Sequence, residues 1–182
     1  MGRKLATTIA ILAVLSVTAV AVYAETASVT VTGGTLSVTP ADVTLSGVTL
    51  DGTDQTSTSA SGSNNWSATD ARGTGAGWNL TIDSTDFSDG GTDTIDISSA
   101  DQEFKIQLLD ANITVTAGNT KPTSQVTALT AMSAAALKFA SAAVDEGMGT
   151  YAINPNFELE VPAEIYDASY TATITISAVS GP

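Results

Sequence analysis

Short runs of alternating apolar and polar residues fill most of this chain from Ala27 onward. Residues two apart on an extended strand share one face of a sheet, so this alternation predicts strands with one buried face. The runs are rich in Thr, Val and Ile, and Gly, Asp, Asn and Ser separate them. The apolar positions are Val29/Val31, Leu36/Val38, Val43/Leu45, Val48/Leu50, Trp78/Leu80/Ile82, Phe104/Ile106/Leu108, Ile113/Val115, Phe157/Leu159/Val161 and Tyr170/Ala172/Ile174/Ile176. The pattern predicts an all-β fold, an antiparallel β-sandwich or partly open barrel of short strands.

Two segments interrupt this pattern. Residues 128–144 are rich in Ala, with Leu129 and Met132 near helical spacing, and these residue types favour helices. The competing interpretation is a loop followed by a strand through Leu137 and Phe139. We predict the strand, because a glycine turn and a further β region follow directly. The polar residues 53–65 are predicted to form a solvated hairpin or loop.

The start of the chain has the pattern of a secretory signal. Arg3 and Lys4 form a positive start, an uncharged apolar stretch covers residues 5–22, and small residues follow at the positions of a cleavage site. The stretch is nearly long enough for a membrane anchor, but its threonines and serine favour a signal that is removed. We predict a signal peptide over residues 1–24 and a single all-β domain over residues 25–182. The mature protein is then secreted and free of the membrane.

The composition excludes several chemistries. The chain has no cysteine and no histidine, which removes disulfides, Ser-His-Asp triads and His-ligated zinc. Its net charge is −13, and loss of a signal with two cations and no acid makes it −15. Such a charge argues against nucleic acid and against adhesion to anionic lipids or anionic wall polymers. Because no carboxylate pair lies in a context that would raise a pKa, we expect no enzyme.

Residues 69–82 combine rare residue types most densely. Gly73, Gly75 and Gly77 alternate directly before Trp78. A phosphate-binding loop of this kind needs a helix after it, whereas a strand is predicted here. We therefore reject nucleotide binding at this segment.

The two tryptophans have a structural and a functional interpretation. Trp78 and Leu80 share one strand face, so they are predicted to form part of the core. The alternative is a tryptophan that stacks on a sugar ring, with Arg72 and Asn79 as candidate glycan contacts. Trp66 follows a polar run, so we expect it to be the more exposed tryptophan and count it as a third candidate glycan contact.

An acidic segment follows the tryptophan strand. Its carboxylates at Asp83, Asp86, Asp89 and Asp93 are weak candidates for calcium ligands. Their spacing does not match an EF-hand loop, and charge runs usually form solvated loops. We therefore expect no cofactor, with Ca²⁺ as the ion that such a segment would favour.

Four stretches together resemble the WxL-domain family of bacterial surface proteins. They occur in the family's order and are residues 69–80, 147–155, 159–162 and 170–174. Trp78 and Leu80 match the family's Trp-x-Leu motif, and Tyr170 and Ile174 match its Tyr-x-x-x-aliphatic motif.

The resemblance implies a non-catalytic domain that attaches non-covalently to the peptidoglycan of Gram-positive walls. It implies wall binding by Trp78, Leu80, Tyr170 and Ile174. The implied partners are peptidoglycan or a wall glycan and, as in other members, further surface proteins. The family's second Trp-x-Leu, expected in the last strand, is replaced by Ile176-Ser177-Ala178.

The alternative function is a structural subunit of a surface filament or layer. Residues 25–39 and 170–180 lie at the two ends of the predicted domain. Either segment is suited to pair with the sheet edge of a second copy, which would give self-association by β-strand addition.

Overall fold

A computed structural model of the protein describes residues 24–182, so the predicted signal peptide, except for Ala24, lies outside the described residues. Within that range the chain forms β-strands and one 3-10 helix, Asp110–Asn112. The strands, in chain order, are β1 (Leu36–Thr39), β2 (Gln55–Thr58), β3 (Trp66–Asp70), β4 (Trp78–Ser84), β5 (Phe87–Ser88), β6 (Thr94–Ile95), β7 (Phe104–Gln107), β8 (Ile113–Gly118), β9 (Thr123–Ser124), β10 (Thr130–Ala131), β11 (Leu137–Ala142), β12 (Gly149–Ile153), β13 (Asn156–Val161) and β14 (Ile174–Ser180).

The strands form antiparallel sheets, as predicted. The first sheet has the order β1-β3-β12-β8, the second β10-β7-β13-β2, and the third β14-β4-β11-β9. Strands β5 and β6 form a small two-stranded sheet. The all-β, sandwich-like class is confirmed, and over residues 24–182 the sheets do not close into a barrel. No helix in this range has the length and apolarity needed to cross a bilayer.

Residues 24–31 and residues 32–182 belong to two different units of the chain. Every strand of the described residues lies in the second unit. The described part of the first unit, residues 24–31, contains no strand. Its apolar residues Val29 and Val31 are 86% and 87% exposed. The strand predicted at Val29/Val31 is therefore wrong for the single chain, because residues 24–31 make no ladder to a neighbouring strand.

Trp66 joins the three large sheets in one core. It lies on β3, and its ring centroid is 6.0 Å from that of Phe139 on β11 and 5.6 Å from that of Phe157 on β13. Phe157 stacks on Phe104 of β7 at 5.6 Å, and Phe104 meets Phe87 of β5 edge to face at 4.9 Å. Aromatic pairs at these distances stabilise a core beyond the area that they bury.

Most of the predicted strands form, with differences at their ends. Leu36/Val38, Trp78/Leu80/Ile82, Ile113 and Phe157/Leu159/Val161 lie on β1, β4, β8 and β13. The last strand begins at Ile174 rather than at Tyr170, although residues 170–178 keep the predicted alternation of half-buried and exposed side chains.

Residues 43–50 do not form the two predicted strands. They lie beside β2, and the pairing is limited to an isolated bridge between Leu45 and Ser59 and a 2.9 Å bond from Ser46 N to Thr58 O. The apolar alternation lasts for only two positions on each side of Gly47, which is too short to extend a ladder.

The predictions for the two segments that interrupt the alternation, residues 128–144 and 53–65, have different outcomes. Within residues 128–144 the chain forms β10 and β11, so the strand prediction is confirmed. The prediction of a solvated hairpin or loop for residues 53–65 is wrong in part. This segment contains β2, which pairs with β13 and buries Ser57. Its hydroxyls find partners inside the fold, which allows a polar strand to be packed.

We predict that Trp66→Ala destabilises the domain by about 3–5 kcal/mol, because it removes the contacts that join three sheets. Urea unfolding followed by far-UV circular dichroism measures this change. Leu129→Ala is the control, since Leu129 is exposed and its truncation should cost under about 0.5 kcal/mol. Equal midpoints for the two variants would contradict the role given to Trp66.

Candidate functional site

Trp78 is fully buried between the first and third sheets. Its side chain is 0% exposed, and its ring centroid lies 6.3 Å from that of Tyr151 on β12. Its indole Nε1 donates a 2.8 Å hydrogen bond to the carbonyl of Gly147. Gly147 has a φ of +69°, and a Cβ there would lie 2.6 Å from the indole nitrogen. Only glycine fits under this ring without displacing it.

The Trp-x-Leu strand is a central strand of its sheet. Strand β4 lies between β14 and β11, and Trp78, Leu80 and Ile82 are all buried. The interpretation of Trp78 and Leu80 as core residues is therefore confirmed. In this conformation the indole of Trp78 is not accessible for stacking on a sugar.

Arg72 forms an ion pair with a carboxylate that the sequence did not single out. Its Nε and Nη2 donate to Oδ1 and Oδ2 of Asp70 at 2.9 and 2.8 Å. The Asp70 carboxylate is buried, and hydrogen bonds from Arg72 hold its pKa below the ordinary value, although burial opposes this shift. The same bonds raise the pKa of Arg72. This two-pronged geometry is the strongest form of such a pair.

Arg72 and Asn79 both hold the end of the last strand. Nη1 of Arg72 donates to the hydroxyl of Ser180, and its Nη2 donates to the carbonyl of Gly77 at 2.8 Å. The amide of Asn79 donates to the carbonyl of Gly181 at 2.7 Å. The candidate glycan contacts Arg72 and Asn79 therefore have partners inside the fold.

The expectation that Trp66 is exposed is wrong. The side chain is 2% exposed, and its Nε1 donates to the carbonyl of Ala41 at 2.9 Å. Most of the polar run before it is exposed, but the chain turns inward at Asn64, which is buried and whose amide donates to the carbonyl of Pro155 at 2.9 Å. Trp66 is thus a core residue like Trp78.

The weak calcium candidates are not gathered at one point. Oδ1 of Asp86 accepts a 3.1 Å bond from Ile97 N, and Oδ1 of Asp89 accepts bonds from Gly91 N at 2.7 Å and Asp93 N at 3.3 Å. Asp83 lies on β4. Across residues 24–182, no three acidic side chains are grouped as metal ligands would be. The carboxylates of Asp86 and Asp89 instead shape the turns around β5 and β6.

An open groove lies at the other motif residue, Tyr170. We call it the tyrosine groove; its walls are residues 43–50 and 165–172, and its volume is about 820 Å³. Its floor is formed by the apolar residues Phe87, Ile95, Leu159 and Val161. Tyr166 projects from one wall and is 69% exposed. The hydroxyl of Tyr170 donates a 3.1 Å hydrogen bond to the carbonyl of Tyr166, and this bond stabilises the turn between the two residues.

Tyr166 and the groove are not among the features that the sequence predicted. Tyr166 and Tyr170 flank Asp167 in a short segment without regular alternation. Two aromatic residues close together in a segment without alternation indicate that aromatic side chains are accessible there. Ile174 begins β14, four residues after Tyr170, and lies half-buried opposite Ser84 of β4.

The chain is thus an all-β protein with an open groove at Tyr170, in which the Trp-x-Leu strand is part of the framework. A family model described as "WxL domain surface cell wall-binding" matches residues 26–182. The chain therefore belongs to the WxL-domain family of surface proteins that bind cell walls. Comparisons with curated proteins and with solved structures give no match.

The residues that replace the family's second Trp-x-Leu motif, Ile176 to Ala178, lie directly beside the first motif on β4. In the antiparallel pair β14–β4, Ile176 is opposite Ile82 and Ala178 is opposite Leu80. The residues that stand for the second Trp-x-Leu thus pair with the strand of the first. The ladder between the two strands runs through this position without interruption.

We predict that Asp70→Asn lowers stability by about 1–3 kcal/mol at neutral pH, because the buried charge-assisted bonds to Arg72 are lost. A carboxyl with a lowered folded pKa stabilises the fold above its unfolded pKa of about 3.9 and loses this contribution as the pH falls further. The difference between wild type and variant should therefore be constant above about pH 5 and shrink below about pH 4.

Urea unfolding at several pH values measures this difference. Asp101→Asn is the matched control, because it removes an exposed carboxylate. A wild-type advantage over Asp70→Asn that stays unchanged down to about pH 2 would contradict the ion pair as its source.

Proposed function

We propose that this chain is a secreted surface protein that attaches non-covalently to peptidoglycan and catalyses no reaction. The observation that carries the proposal is the match of a cell wall-binding family model to residues 26–182. In this proposal residues 1–24 are removed as a signal peptide, and residues 25–182 act as one binding domain at the cell surface.

The carboxyl groups with shifted pKa values do not have the properties of an acid catalyst for glycoside hydrolysis. Glycoside hydrolysis needs one carboxylic acid with a raised pKa beside a second carboxylate. Hydrogen bonds lower the pKa of Asp51, Asp70 and Asp96, which is the opposite direction. The partner of Asp70 is Arg72 rather than a second acid. These groups are therefore suited to structure and not to acid catalysis.

The charge of the chain limits how it binds a wall. At −13 for the full chain, long-range electrostatics repel anionic wall polymers. Attachment must then come from short-range contacts such as hydrogen bonds, aromatic packing or a bridging cation. Because screening by salt weakens a repulsion between like charges, higher ionic strength should not release the protein.

We expect the purified domain to sediment with isolated peptidoglycan sacculi, and the bound fraction to stay constant or rise from about 0.05 to 0.5 M NaCl. Quantifying protein in pellet and supernatant measures this. Bovine serum albumin, which is also acidic, is the control for trapping. Absence of the domain from the pellet would overturn peptidoglycan binding, and release by EDTA would assign the contact to a bridging cation such as Ca²⁺.

A second candidate function is assembly by β-strand addition. The observation that favours it is the alternating segment 27–31, which has no strand partner and exposes Val29 and Val31. Strand β14 pairs along its length with β4, so the end of the chain is a less suitable donor. Strand β8 pairs only with β12, and its outer edge is a candidate acceptor in a second copy.

We expect, if copies assemble this way, concentration-dependent fibres or oligomers that the double variant Val29→Asp/Val31→Asp abolishes. Electron microscopy and sedimentation of residues 25–182 measure them. Val144→Asp is the control, because Val144 is exposed outside any strand. Monodisperse monomers at all concentrations would exclude this second function and leave wall attachment unaffected.

A further inference from the structure

The tyrosine groove holds the accessible aromatic side chains of the structure. Within residues 24–182, both tryptophans, all the phenylalanines and Tyr151 are buried. Tyr166 is 69% exposed, and Tyr170 is half-buried on the same wall. Aromatic faces stack on apolar ring surfaces and attract cations. If the described chain binds a ligand through aromatic contacts, it does so in this groove.

The wall that carries both tyrosines is held in place before any ligand arrives. The backbone of Thr171 exchanges two 2.9 Å hydrogen bonds with that of Ser88, and the hydroxyl of Tyr170 donates to the carbonyl of Tyr166. The wall leads directly into β14, which pairs with the Trp78 strand. A preorganised wall loses less conformational freedom when a ligand binds.

The charge around the groove has one sign. Asp167 lines it, and no Lys or Arg lines it. The pKa of Tyr170 is raised by burial and then by the charges of Asp93, Asp89 and Asp167, which agrees with a negative potential at this end of the groove. The cations Arg72 and Lys105 form ion pairs with Asp70, Glu103 and Glu160 at other places.

The shape and charge of the groove together indicate a cationic occupant. An ammonium group gains from the carboxylate of Asp167 and from the faces of the tyrosine rings, whereas an anion is repelled. The apolar floor is suited to aliphatic chain segments that carry such a group. Peptidoglycan offers this combination in the free amino groups of diamino acids in its uncross-linked peptide stems.

Resting on the proposed function, we propose that the tyrosine groove is the wall-binding site and that it holds an amino-bearing peptide stem of peptidoglycan. The aliphatic part of the diamino acid lies on the floor at Phe87 and Leu159. Its ammonium group lies between the ring of Tyr166 and the carboxylate of Asp167. Trp78 and Leu80 then act as positioning residues, because their strand holds β14 behind the groove wall.

The test compares variants of the full mature domain on two preparations of sacculi. One preparation is untreated, and in the other the free amino groups are acetylated with acetic anhydride. The variants are Tyr166→Ala and Asp167→Asn, both at exposed side chains, and Asp101→Asn is the control for loss of one exposed carboxylate outside the groove. Co-sedimentation gives apparent Kd values, and thermal melts show that each variant is folded.

We expect Tyr166→Ala to raise the apparent Kd on untreated sacculi about tenfold and Asp167→Asn to raise it about threefold. Asp101→Asn should bind like wild type. Acetylation should weaken wild-type binding, and on acetylated sacculi Asp167→Asn should bind as wild type does.

The outcomes separate this inference from the proposed function. If wild type does not sediment with either preparation, peptidoglycan binding itself fails. If wild type sediments and both groove variants match it, the groove is not the site, while wall attachment stands. If the variants weaken binding but acetylation does not, the groove binds a part of the wall other than its amino groups, and the proposed occupant is wrong.

Discussion

The contacts of one buried indole hold three separate antiparallel sheets together. Trp66 packs against Phe139 and Phe157, and each of these aromatic residues comes from a different sheet. The chain has no cysteine, so disulfides cannot supply this connection. Short strands do not form stable sheets alone, and the sheets of this protein depend on a common core. The placement of the groove and of the last strand follows from that core.

The Trp-x-Leu motif has a structural explanation in this protein. The indole of Trp78 bonds to the carbonyl of Gly147, where a side chain would collide with the ring, and Arg72 and Asn79 fasten the end of β14. The motif and the distant glycine therefore form one packing unit across two sheets. A family motif can therefore consist of residues that pack inside the fold and need not consist of residues that contact the ligand.

The sequence predicts the parts of this fold that follow from local alternation. Strands such as β4 and β13 are recognisable because apolar residues fill one face over several positions. The strand β2 is not recognisable in this way, since its polar side chains are satisfied by distant partners that only the fold brings near. The burial of Trp66 depends in the same way on Ala41, Phe139 and Phe157, which lie far away in sequence.

The candidate site, like the fold, could be predicted from the sequence only in the part that follows from a local motif. The sequence identified Tyr170 through its motif, but the groove beside it arises where residues 43–50 fail to become a strand and leave the floor around Phe87 open. The short alternation on each side of Gly47 explains why no strand forms there, but no local pattern shows that a groove results. The motif tryptophan Trp78 is enclosed, whereas Tyr166 is exposed and the motif residue Tyr170 is half-buried beside it. In the proposed binding mode, an acidic protein can bind a wall rich in anions, because the carboxylate of Asp167 attracts an amino group at short range, where repulsion by distant anions is screened.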